Sequence, residues 1–100
     1  MLLSEDAVRG SVDPRHWRLR DGRLEAHVET GSFLAGLELV TAVAQIAERM
    51  GHHPDVLLTF PSVVLTSVSH DVGGLTERDV ALAGAITALL DERALAVPPQ

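Results

Sequence analysis

The sequence predicts an α+β domain: a four-stranded antiparallel sheet with helices packed on one face, in the order α-β-β-α-β-β-α. Three observations predict it. Two pairs of short strand-like runs are each followed by a stretch of helical periodicity. Asp21-Gly22 separates the first pair, a strong hairpin signal. In the run after that turn Leu24, Ala26 and Val28 alternate with Glu25, His27 and Glu29, the pattern of a sheet with one solvated face. Paired hairpins, each followed by a helix, place the helices together on the apolar face.

The elements follow in order. Ser4 is an N-cap ahead of Glu5 and Asp6, so a short helix is expected to about Val8, ended by Gly10. Asp13-Pro14 marks a turn. The first hairpin comprises Trp17 to Arg20 and Leu24 to Glu29, with Trp17 packed on the sheet and His27 solvated. His16 shows no evident partner. A long helix is expected from Phe33 to Met50, with an apolar stripe of Phe33, Leu37, Val40, Val43, Ala47 and Met50. Leu34, Leu39 and Ile46 widen it, so that the helix would cover the sheet and also meet a second surface, such as another subunit. Gly51 fits the position just past the helix end. The strands Val56 to Phe60 and Val63 to His70 come next, with Pro61 between them. Thr76-Glu77-Arg78-Asp79 resembles a capping box with Asp as its fourth member. The helix it opens is expected to reach about Arg93, with Leu82, Ala85, Ile86 and Leu89 on its apolar side and Asp79 on that same side. Residues 94–100 are expected to be a frayed tail.

Length and composition narrow the function. One hundred residues make one domain, 1–100, with a single small core. Only Trp17, Phe33 and Phe60 are aromatic, so the core is aliphatic. The net charge of −6 and the absence of lysine argue against a nucleic-acid surface, which needs clustered cations on phosphate. Without cysteine, thiol catalysis, thiolate metal sites and disulfides are excluded. No apolar run approaches the ~18 residues of a membrane span. Met1-Leu2-Leu3 leads at once into Ser4-Glu5-Asp6, unlike a signal peptide, so the expectation is a soluble cytoplasmic protein with no membrane partner.

The chemistry is concentrated between Glu48 and Asp79. His52 and His53 lie in the turn after the long helix, and His70 closes the last strand before Gly73-Gly74. Histidine titrates near neutral pH, so a cluster of histidines points to proton transfer. The spaced set Glu48, His52-His53-Pro54, Phe60, His70 and Asp79, with the run Ser69 to Asp79, resembles the signature of the pterin-4a-carbinolamine dehydratase family. The similarity extends more weakly from about Trp17 to Leu90.

That resemblance implies the fold already derived and the elimination of water from a 4a-hydroxytetrahydropterin. The product is a quinonoid dihydropterin, formed during recycling of tetrahydrobiopterin for an aromatic amino-acid hydroxylase. A proton must reach the departing hydroxyl and another must leave N5, so two or three imidazoles suffice, with neither cofactor nor metal. The implied catalytic residues are His52, His53 and His70, with His52 and His70 as the acid–base candidates and His53 against the pterin. The implied substrate-binding residues are Glu48, Asp79, Ser69 and Asp71. The resemblance also implies homodimers joined edge to edge through their sheets, or homotetramers. The chain departs from the family pattern at Val56, where Trp is usual, and at Gly51, where Asn or Asp is common.

Two other readings compete. Related chains on this fold serve as partner-binding dimers or assist assembly of carboxysomal enzymes, which needs no histidines. A metal site from His52, His53, His70 and Asp71 is disfavoured, because adjacent histidines seldom converge on one ion. The enzyme reading needs the turn after the long helix to meet the end of the last strand around a cavity large enough for a bicyclic ring.

Overall fold

The computed structural model describes residues 1–93 and has the predicted order. Helix α1 (Glu5–Arg9) precedes β1 (Trp17–Arg20) and β2 (Arg23–Glu29); α2 (Phe33–Met50) precedes β3 (Asp55–Leu58) and β4 (Ser62–Ser67); a single 3-10 turn, His70–Val72, leads to α3 (Glu77–Arg93). The expected tail at 94–100 lies outside the described residues. The four strands form one antiparallel sheet in the order β1-β2-β4-β3.

Local chemistry accounts for most of the boundaries. Asp21 and Gly22 both have positive φ, 52° and 75°, the geometry that an Asp-Gly hairpin turn supplies. Ser4 and Ser32 cap their helices by accepting from the Ala7 and Ala35 amides. Gly51 ends α2 in the left-handed region, its N–H donating to the Ala47 carbonyl. These positions matter here because α2 must stop abruptly for His52 and His53 to turn back toward the sheet.

The core lies between the sheet and α2 and α3. Leu24, Ala26 and Val28 of β2 and Val63 and Leu65 of β4 face it, with Leu39, Val43 and Ile46 from α2 and Leu82, Ile86 and Leu90 from α3. Each Leu, Val or Ile side chain, fully buried, contributes about 1.5–3 kcal/mol through removal of apolar surface from water. Gly36 lets α2 press onto the sheet, since a Cβ there would stand 2.6 Å from Cδ1 of Leu58. Trp17 is buried, and its indole N–H donates to Oγ1 of Thr87 on α3 at 3.0 Å.

Several expectations are corrected. The buried stripe of α2 is Gly36, Leu39, Val43, Ile46 and Ala47, whereas Phe33, Leu37 and Met50 are largely exposed. Helix α2 is apolar on more than one side, so periodicity alone could not fix which side meets the sheet. On α3, Leu90 rather than Leu89 is fully buried. Strand β3 ends at Leu58 and β4 at Ser67, so neither Phe60 nor His70 is a strand residue. His16 is buried and has a partner after all: Nε2 lies 2.9 Å from Asp91 on α3.

Candidate active site

The site is built where three elements end. The inward face of β4 carries Leu65 and Ser67, and the chain continues in that phase to Ser69, which is also buried. Thr76 caps α3: its Oγ1 accepts from the Arg78 amide at 3.1 Å, and the Asp79 side chain reaches back to the Thr76 amide at 2.9 Å. This is the predicted capping box, with Asp as the reaching residue. The box aims the Asp79 carboxylate inward, where its solvent exposure is zero.

Asp79 gathers four hydrogen bonds there. Oδ1 accepts from the Ser67 hydroxyl at 2.6 Å and lies 2.7 Å from His52 Nε2. Oδ2 accepts from the Ser69 hydroxyl at 2.7 Å and from the Thr76 amide. Burial pushes the Asp79 pKa up, but the hydrogen bonds from Ser67, His52, Thr76 and Ser69 outweigh it and hold the acid below its ordinary value. Asp79 is therefore a carboxylate at neutral pH. It receives the Nε2–H of His52, which leaves Nδ1 as the nitrogen able to take up a further proton.

The two histidine groups are thus connected. Asp79 ties the turn after α2, through His52, to the end of β4, through Ser67 and Ser69. His70 follows Ser69 directly and opens the exposed 3-10 turn closed by Gly73, whose φ is 72°. That turn is pinned to itself by reciprocal backbone bonds between Ser69 and Gly74. His53 points away from Asp79 and pairs at the surface with Glu48, from the last turn of α2. The adjacent histidines diverge, as neighbouring side chains in an extended segment must.

The remaining expected residues occupy different places. Ser69 and Asp79, expected to touch substrate, lie buried behind His52, with every side-chain oxygen engaged. Asp71 is exposed and joined to Arg78 at 2.8 Å. Sequence reasoning did not single out Ser67 or Thr76 as site residues, yet both complete the Asp79 cradle. Their signal was present: Ser67 lies on the Val63-Leu65 face, and Thr76 opens the capping box. A cavity of about 270 Å³ is lined by Met1, Leu3, Thr76, Glu77 and Arg78. A shallow groove of about 480 Å³ runs along α2 from Thr41 to Glu48 and Arg49. Neither is the ring-sized cleft expected between His52 and His70.

A second polar cluster, Asp13, His16 and Asp91, has donor atoms within 4.8 Å of one another. Its charge is already met. Arg15 contacts Asp13 through Nε and Nη2 and Asp91 through Nη2, and His16 contacts Asp91. The Arg15 hydrogen bonds hold Asp13 down at about 2. This cluster fastens the loop before β1 to the last turns of α3.

A small α+β sheet protein with a carboxylate-oriented histidine beside further surface histidines defines a candidate acid–base site without thiols. Comparison with known proteins makes the assignment more specific. The family profile for pterin 4 alpha carbinolamine dehydratase matches residues 1–89, and the chain belongs to that family. A relative from Acidobacterium capsulatum, provisionally named a pterin-4-alpha-carbinolamine dehydratase, is 47% identical over 74 residues, covering 74% of this chain and 80% of its own. One of the same provisional name from Mycobacterium sp. (strain KMS) is 40% identical over 91 residues, covering 90% of this chain and 97% of its own. Among solved structures, a transcriptional coactivator/pterin dehydratase from Brucella melitensis shares the fold, with a TM-score of 0.79 at 22% identity over 89% of this chain and 98% of that one. A pterin dehydratase-like protein identified as a RuBisCO assembly factor in the alpha-carboxysome gives a TM-score of 0.60 at 25% identity, over 74% of this chain and 88% of that one.

Proposed function

We propose that this chain eliminates water from a 4a-hydroxytetrahydropterin by histidine acid–base catalysis, giving the quinonoid dihydropterin in tetrahydrobiopterin recycling. The observation that carries this reading is the His52–Asp79 pair at 2.7 Å, inside a carboxylate cradle of three further donors. Such a cradle is more than a helix cap needs. It fixes one tautomer and one ring orientation of His52, which is what a proton-transfer group requires.

In this reading His52 and His70 form the acid–base pair, one protonating the 4a-hydroxyl as the C–O bond breaks and the other removing the N5 proton, across a cleft that neither of the two cavities described above supplies. Electrons from the N5–H bond form the new C=N bond, so the step balances with water as the only by-product. His53, held by Glu48, contacts the pterin edge. Positioned groups of this kind give about 10²- to 10⁴-fold acceleration each. Ser69 and Asp79 act from behind His52 rather than on the substrate.

The functional unit in this reading is a homodimer. Strand β3 is a sheet edge with Val56 and Leu57 exposed, whereas the other edge, β1, carries the exposed cations Arg18 and Arg20. Charged edges resist strand pairing and apolar ones invite it. A tetramer would then use the exposed Phe33, Leu34 and Leu37 of α2.

Those same exposed apolar residues favour one second reading, a non-catalytic binding or assembly module on this fold. Stopped-flow measurement of carbinolamine dehydration by the wild type and His52→Ala separates the two. The enzyme reading expects a wild-type rate well above background and a loss of about 10²-fold or more in the variant. Equal, background-level rates in both would establish the module instead.

A further inference from the structure

We propose that Arg78 and Asp71 together are a brace that positions the turn carrying His70 against the buried His52–Asp79 pair. This rests on the acid–base reading above and assigns Asp71 a partner within the chain rather than on the substrate.

The geometry runs through one residue, by its backbone amide and its side chain. Arg78 Nη2 donates to Asp71 Oδ1 at 2.8 Å, gripping the middle of the His70–Val72 turn. The same residue meets Thr76 Oγ1 twice, from its amide at 3.1 Å and from Nε at 3.4 Å. An oxygen that accepts from Arg78 directs its own proton elsewhere, and Ser69 Oγ is 2.9 Å away. Ser69 already donates to Asp79 Oδ2, so the hydroxyls form a one-way chain: Arg78 to Thr76, Thr76 to Ser69, Ser69 to Asp79. Arg78 therefore touches both ends of the assembly. It holds the exposed turn that presents His70, and it orients the hydroxyls that hold the carboxylate behind His52.

The backbone bonds of that turn join Ser69, His70, Val72, Gly73 and Gly74 to one another. Asp71 makes its side-chain contact only with Arg78 among the described residues. The Arg78 hydrogen bond holds the Asp71 pKa below its ordinary value. Both side chains are about half or more exposed, so the pair is sensitive to salt.

The test uses Arg78→Gln, Asp71→Asn and the double variant in the full chain. Each single variant should lower kcat about fivefold, the factor that an exposed pair worth about 1 kcal/mol supports. KM should change less than twofold, and the unfolding equilibrium should shift by no more than the same fivefold. The double variant should lose no more than Arg78→Gln alone, because that variant already breaks the contact Asp71→Asn removes. Added salt should bring wild-type activity toward the Asp71→Asn level while leaving that variant flat. Native-state amide exchange supplies a readout independent of activity. The Ser69, Gly73 and Gly74 amides should exchange about fivefold faster in both single variants, with the amides of β2 changing no more than the loss of global stability requires. Unchanged exchange at the turn overturns the brace whatever the activity. So does a kcat loss that only tracks the unfolded fraction. An inactive wild type would overturn the dehydratase reading, and the exchange measurement would still decide the brace.

Discussion

Asp79 and His52 are 27 residues apart in the chain, yet their side chains meet at 2.7 Å in a site where the carboxylate is fully buried. A buried carboxylate is costly unless every oxygen is engaged. Here each oxygen takes two hydrogen bonds. Asp79→Asn keeps the shape but turns one acceptor oxygen into a donor facing donors. The variant should lose about 1–3 kcal/mol of stability. Its kcat should fall about 10²-fold or more, because His52 loses the group that sets its tautomer. Urea denaturation and single-turnover dehydration check the two effects separately. A folded, fully active Asp79→Asn would break the link between the cradle and the chemistry.

The same carboxylate contributes to the acid limb of stability. The folded Asp79 pKa lies below the ordinary 3.8, so the unfolded chain takes up the proton first as pH falls. Its contribution is fully present above about pH 4 and is lost as pH falls through the folded value. Asp91, held down chiefly by His16, acts in the same direction. The urea midpoint of the wild type should be flat on this account from about pH 7 to 5 and drop below about pH 4. Asp79→Asn should show a shallower drop. A variant limb as steep as the wild type would mean that other carboxylates carry the transition.

How much of this was legible depends on whether the cause is local. The Asp-Gly turn, the Ser4 cap, the Gly51 stop and the Thr76–Asp79 capping box are each set by a few consecutive residues, and each is found in place. Alternation put Val63, Leu65, Ser67 and Ser69 on one face, and packing made that the buried one. What could not be read is set by distant chain. Helix α2 had several apolar sides, and only packing on Leu58 and Val63 selects the Gly36 side. His70 continued a β-branched run, but the Ser69–Gly74 bridge and the left-handed Gly73 turn it into a 3-10 corner. His16 found Asp91 from 75 residues away. Asp79 was expected at the substrate from the family resemblance, and local spacing put it on the apolar side of its helix. The same spacing placed it behind His52, a distinction only the fold can draw.

The Asp13, Arg15, His16 and Asp91 cluster should behave as a fastening rather than a reactive centre. His16 is buried with a side-chain exposure of 1%, and its contact is the Asp91 carboxylate. Asp91→Ala leaves that ring nitrogen without its acceptor and should cost about 1–3 kcal/mol. Activity per folded molecule should be preserved, since the cluster does not contact the Asp79 cradle. Dialysis against a chelator should not move the melting midpoint, because Arg15 already meets both carboxylates. A midpoint that falls on chelation and returns with zinc would make the cluster a metal site instead.

The edge of β3 supplies a test of assembly. Strand pairs are antiparallel throughout, and β3 is bonded on one side only, to β4. Leu57 is 59% exposed and Val56 41%, on a strand whose free backbone groups can accept a second strand. Lysine at such an edge opposes pairing by placing a solvated charge where two sheets would meet. Leu57→Lys should leave the monomer fold intact, because Leu57 faces away from the core. Sedimentation velocity should then show a dimer for the wild type and a monomer for the variant at equal concentration. Should dehydration survive at full rate in the monomer, each subunit carries a complete site from His52, His70 and Asp79. A monomeric wild type, or a Leu57→Lys dimer, would remove β3 as the joining edge and shift attention to the exposed apolar face of α2.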